Sequence, residues 1–145
     1  MNFTSKRTIQ STLYPEVSYV LRKMSEGRHI QLNMRLAPHK ARLRDLMAES
    51  ESLNPTVAEG EVQATLSPAD NARVLNLSDA FTNLIQSEIN PCWLRWGLDS
   101  ISGLEIDDQP ATVESLINDG PKPLCEEILT EIRKLAELSP SEISN

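Results

Sequence analysis

Three stretches of this sequence place aliphatic side chains at intervals of three and four residues, with prolines and glycines punctuating the chain around them, and that pattern commits most of the core to three longer helices. Aromatic residues make up only 4% of the chain, so the core must be built from Leu, Ile, Val, Ala and Met. A chain of 145 residues has the size of one domain and can bury such a core without a disulfide or metal. A single domain spanning 1–145 is expected.

The first stretch follows Ser25, whose hydroxyl can cap exposed N–H groups, and predicts a helix over 26–49 with a kink or break at Pro38. Its wheel carries two apolar stripes. Leu32, Leu36, Leu43, Leu46 and Met47 lie on one side, and Ile30, Met34, Ala37, Ala41 and Ala48 nearly opposite. Two stripes on one helix call for contact on two sides, a core plus a subunit or a core plus a partner. Arg28, Arg35 and Arg42 recur every seven residues along the border of the Leu stripe, either solvated with their stems on apolar surface or forming a basic rail for an acidic protein.

The second stretch opens on Ser67-Pro68-Ala69-Asp70, a strong helix start, and runs over 68–95 with Val74, Leu77, Phe81 and Leu84 facing the first helix and Ile85 and Ile89 widening the stripe. Asn90-Pro91 ends or bends it. The third, 122–137, buries Leu124, Ile128, Ile132 and Leu135. Between them, Thr112 caps a short helix stopped by Asp119-Gly120-Pro121. Val17 to Arg22 predicts an edge-type strand, and 97–111 a small hairpin turning at Asp107-Asp108. Residues 51–66 are polar and aperiodic, a loop, and 138–145 form a frayed end that includes a Ser139-Pro140-Ser141-Glu142 capping pattern. The fold class is α+β, predominantly helical, with a small antiparallel sheet.

Residues 1–50 hold nine Lys/Arg against four Asp/Glu, while 51–145 hold five against seventeen. Complementary halves can fold onto each other or the basic half can face an acidic partner; the acidic remainder repels phosphate, which makes nucleic acid the less favoured partner. His29 and His39 lack metal-ligand spacing, Cys92 and Cys125 form no CxxC, and Glu105, Asp107 and Asp108 lack the ladder of a calcium loop. The two thiols read as buried in a reducing compartment. No nucleotide-binding or hydrolase motif is present. A non-enzymatic chain without metal or cofactor is expected. With no apolar run of about 18 residues and no apolar region in MNFTSKRTIQ, a cytoplasmic location away from membranes is expected. Trp93-Leu94-Arg95-Trp96 has the composition of an interface anchor, with core packing as the alternative for both tryptophans.

From Trp96-Gly97-Leu98 onward the chain resembles the tail assembly chaperone kind of tail-morphogenesis protein in tailed phages and prophages. The resemblance rests on Ile101, Gly103-Leu104, Ile106-Asp107, Pro110-Ala111-Thr112, Leu116-Ile117, Gly120-Pro121, Leu124 and Glu127-Ile128, on the Leu138-Ser139, Glu142 and Asn145 ending, and on Val20 to Arg28 upstream. Asp108 stands where a turn glycine is usual, and Ser144 where lysine is. About half of the chain is covered, and no motif is catalytic. The resemblance implies a helper in the host cytoplasm that holds tape measure or tail tube protein before assembly. A structural tail or adaptor protein of the virion and a nucleic-acid-binding regulator using Arg28, Arg35 and Arg42 are the alternatives, and a homo-oligomer is compatible with the first two. The partner-binding residues expected are Trp93, Arg95, Trp96, Arg28, Arg35, Arg42, Leu32, Leu36 and Leu43.

Overall fold

The computed structural model describes residues 2–53 and 68–137. It is an α+β fold, predominantly helical, whose residues fall into two compact units, Met1–Arg35 with Asn90–Asn145, and Leu36–Ile89.

In the first unit, β1 (Lys6–Gln10), β2 (Ser18–Arg22) and β3 (Leu98–Ser102) form an antiparallel sheet in the order β1-β2-β3. Val17, Tyr19 and Leu21 are buried, and this two-residue period fixes which face of β2 meets the core. The strand read as an edge is therefore the central one. The edge is β1, KRTIQ, which has only Ile9 to bury and carries charges that suit a solvated edge, so nothing in its pattern announces a strand. Asp99 on β3 joins all three strands, accepting from Arg22 Nε at 3.1 Å and lying 3.4 Å from Lys6 Nζ.

The 97–111 segment also divides differently from expectation. β3 belongs to the main sheet, whereas β4 (Glu105–Ile106) and β5 (Gln109–Pro110) form a separate two-stranded ladder. Gly103 separates them: its φ is +80°, and a Cβ there would come within 2.0 Å of the Glu16 carbonyl oxygen. Asp107 and Asp108 make the expected turn, both at positive φ.

Around the sheet, α3 (Asn90–Gly97) packs against α4 (Val113–Asp119) and α5 (Lys122–Glu137). Thr112 and Ser115 form a reciprocal capping box at the start of α4, with bonds of 3.1 and 2.8 Å, and the Gly120 N–H closes its end on the Leu116 carbonyl. The four residues expected on the α5 face are all buried, joined by Leu129. With Leu94, Trp96, Leu98 and Leu116 they form the core of the unit.

The helix α1 (Glu26–Leu53) is continuous through Pro38, so the proline does not break it. Both Pro38 and Met34, whose carbonyl loses its intrahelical donor there, belong to exposed residues, and water can serve the orphaned oxygen. Residues 51–53, expected in the loop, are helical; the rest of 51–66, the Ser67 cap and the end at 138–145 lie outside the described residues.

In the second unit, Leu46 from α1 clusters with Leu77 and Leu84 of α2 (Pro68–Leu84), and Leu43, Ala80, Phe81 and Ile89 pack against them. This is the contact the apolar spacing predicts. Ile85, expected to widen the stripe, is exposed. The predicted 68–95 helix is α2, then a π-helical turn at Ile85–Ile89, then α3, so the chain stays helical through Pro91 after one wide turn.

A candidate protein-binding surface

The residues expected to meet a partner divide sharply once placed. Trp96 is 1% exposed and Leu94 3%, so half of the Trp93-to-Trp96 segment is core. Trp93 is half-buried, edge-on to Trp96 at 6.0 Å between ring centroids, with the Arg133 guanidinium 5.6 Å over its own ring. Arg95 is exposed but engaged, its Nε donating to Glu114 Oε1 at 2.7 Å and its second nitrogen to Oε2 at 3.1 Å. That pairing holds the Glu114 carboxyl below its ordinary pKa. The short helix α3 therefore turns these residues inward or onto neighbours, and the expected tryptophan-arginine anchor is not presented as a patch.

On α1, Leu32 and Leu36 are each 3% exposed and Leu43 is half-buried against Leu46, so the Leu stripe, offered as partner-binding, is the inward face. Met47 of the same stripe is 50% exposed. Arg28 is held by the fold. Its guanidinium carbon lies 4.8 Å from the Trp96 ring centroid, it donates to the Trp96 carbonyl, and Trp96 Nε1 donates back to the Arg28 carbonyl at 2.9 Å. Burial, reinforced by Arg22 and Arg35 and opposed by Asp99, lowers its pKa. Arg35 and Arg42 face solvent.

The second stripe is the one left outward. Ile30 is 52% exposed and Met34 71%, and Ala37, Ala41 and Ala48 are exposed on the same helix. Large apolar side chains this open on a helix bordered by cations make a candidate surface for another protein. Ile30 and Met34 were visible in the sequence as half of the double stripe, but spacing alone cannot say which stripe a fold will claim.

A polar cluster escaped the sequence reading altogether. Glu127 of α5 reaches the loop between β1 and β2, where its Oε1 accepts from Ser11 Oγ at 3.1 Å, Thr12 N at 2.9 Å and Leu13 N at 3.1 Å, and its Oε2 accepts from the Tyr19 hydroxyl at 3.0 Å. Burial raises the carboxyl pKa, and the four hydrogen bonds outweigh it and hold the value below the ordinary one. Tyr19 is driven well above the ordinary phenol range by burial first and then by Glu127. With every oxygen engaged by the fold, this is a fastening between helix and loop.

Elsewhere in the first unit, a cavity of about 450 Å³ is lined by Arg7, Glu131, Lys134, Leu135 and Glu137, with Lys134 and Glu131 paired at 3.2 Å. Among the described residues no group of three or more His, Cys, Asp or Glu could hold a metal ion, and no helix is long and apolar enough to cross a membrane. Comparison with protein-family models, curated proteins and solved structures gave no significant match.

Proposed function

We propose that this chain is a non-enzymatic protein-binding factor, and specifically a tail assembly chaperone that holds tape measure or tail tube protein in the host cytoplasm before assembly. The observation that supports protein binding is the outward stripe of α1, above all Met34 at 71% exposure and Ile30 at 52%. Such side chains gain by being covered, at roughly 25 cal/mol per Å² of apolar surface removed from water. The choice of a phage tail partner rests on the sequence resemblance alone.

The test is co-expression of the tagged chain with the genes beside its own, followed by affinity capture and mass spectrometry. A tape measure or tail tube protein recovered with the wild type and lost with Met34→Asp supports the chaperone reading. Capture of no other protein, together with the chain itself in purified particles, would replace it with a structural role in the virion.

A further inference from the structure

We propose that the open edge of β1 receives an extended strand of a partner protein, one that carries a carboxylate and a branched aliphatic residue at alternate positions on its inward face. This surface is separate from the outward stripe of α1, and the inference goes beyond the protein-binding reading of that stripe.

Register decides which backbone groups of β1 are free. Lys23 N–H donates to the Ser5 carbonyl and Ser11 N–H to the Val17 carbonyl, each at 2.8 Å, so the odd-numbered residues from 5 to 11 are the ones bonded to β2. The N–H and carbonyl groups of Lys6, Thr8 and Gln10 therefore face away from β2, and among the described residues no strand pairs with them. All three residues are exposed. An added strand would meet donors and acceptors at the two-residue spacing of its own backbone.

A second observation lies beside that edge. Arg7 and Ile9 stand opposite Leu21 and Tyr19, which are buried, and so share the inward face of the sheet. The cavity of about 450 Å³ is bounded by Arg7 and by Glu131, Lys134, Leu135 and Glu137 of α5. None of its lining residues comes from β2 or β3, so it lies at the rim of the sheet, where the inward side chains of a strand laid along β1 would enter it.

Charge and packing choose the occupant. Lys6 lies against Asp99 and Lys134 against Glu131, but Arg7 forms no ion pair among the described residues. One carboxylate opposite Arg7 answers this unmatched cation, and Glu137 on the same cavity disfavours a second. Opposite Ile9, which is half-buried, a branched aliphatic side chain covers what the core leaves open. A second copy of β1 fits less well. Paired antiparallel about Thr8, it would bring the two Arg7 side chains diagonally together on one face, with no Asp or Glu between Asn2 and Pro15 of either copy to separate them.

The probe is a fluorescent synthetic peptide of about eight residues, long enough to run beside the five of β1, with one Glu and one Val at alternate positions in a Thr background. One counterpart replaces Glu with Lys, and another is N-methylated at alternate residues so that it cannot donate to an edge. Anisotropy titration against the full chain is expected to show binding of the Glu/Val peptide, weakened about tenfold or more by either change to the peptide and by Arg7→Glu or Thr8→Pro in the protein. Proline at position 8 removes an N–H that faces away from β2, so the β1-β2 ladder survives, which circular dichroism and the unfolding midpoint verify. Should that variant fail to fold, the N-methylated peptide makes the same test on the wild type. No binding, equal binding of the Lys counterpart, or binding that N-methylation leaves unchanged overturns the inference. So does a dimer in sedimentation that Thr8→Pro abolishes and the peptide cannot disrupt, which would assign the edge to a second copy. Peptide binding lost on Met34→Asp but kept on Thr8→Pro overturns it too, because the peptide would then sit on α1.

Discussion

The Arg28 guanidinium lies over the Trp96 ring at 4.8 Å while the Trp96 indole N–H donates to the Arg28 carbonyl at 2.9 Å, so each residue fixes the other. The pair fastens the start of α1 to the end of α3. Among buried side-chain nitrogens and oxygens of the described residues, only Arg28 Nε has no hydrogen-bond partner, which offsets part of the gain. An arginine that counts in the sequence as one of three in a basic rail is thus structural, and Arg35 and Arg42 are left to face solvent.

Replacing Arg28 with Ala is therefore expected to lower stability by about 1–3 kcal/mol, through the lost stacking and the Trp96 carbonyl left without its donor. Arg28→Lys should recover little of this, since an ammonium cannot reproduce the planar stack. Arg35→Ala should stay within about 0.5 kcal/mol of wild type. Urea unfolding midpoints of the three variants measure the difference.

Glu127 predicts a pH dependence. Its carboxyl titrates lower in the folded state than in the unfolded one, so its contribution is present above the ordinary value of about 4.3 and is lost as pH falls through the folded value. Tyr19 acts at the other end: its folded pKa is raised, so stability is full below about 10 and declines as pH rises beyond that. Glu127→Gln should cost about 1–3 kcal/mol at neutral pH and flatten the acid limb. Tyr19→Phe should flatten the alkaline limb. Thermal midpoints across pH read both.

Much of this architecture was legible because local signals agreed with tertiary demands. The α5 face was readable from Leu124, Ile128, Ile132 and Leu135, all of which the core claims, and Asp107-Asp108 marked its turn. Where the sequence misled, the deciding contact was remote. β1 is invisible in KRTIQ because an edge strand can be polar, and only its pairing with β2 reveals it. Trp93 and Trp96 look equivalent at a spacing of three, yet the Arg28 contact and the core bury one and leave the other partly open. Glu127 meets residues more than a hundred positions away, a relationship with no periodicity to detect.

The two free cysteines should be sluggish. Burial raises the pKa of both thiols, against Arg35 and Arg95 for Cys92 and with Glu126 adding to the effect for Cys125, whose Sγ also donates to the Leu116 carbonyl at 3.5 Å. Alkylation by iodoacetamide at neutral pH should be several-fold slower than for a free thiol, roughly in proportion to the smaller thiolate fraction, and should recover in denaturant. Equal rates in folded and unfolded protein would contradict the burial.

Two turn positions should respond in opposite directions to exchanges involving glycine. Asp108 sits at φ 63°, where an L side chain is disfavoured by about 1–2 kcal/mol, and asparagine or aspartate recovers part of that by local hydrogen bonding. Asp-Gly suits a two-residue hairpin better than Asp-Asp, so Asp108→Gly is expected to be stabilising by up to about 1 kcal/mol, the relief of strain exceeding the added freedom of the unfolded chain. Gly103 is the converse. At φ +80° and with the Glu16 carbonyl 2.0 Å from where a Cβ would lie, Gly103→Ala must displace the backbone between β2 and β3 and should cost about 2 kcal/mol or more. Denaturant midpoints should thus rise for one variant and fall for the other. A neutral Gly103→Ala would mean that the approach of residue 103 to Glu16 contributes nothing to holding β3 beside β2.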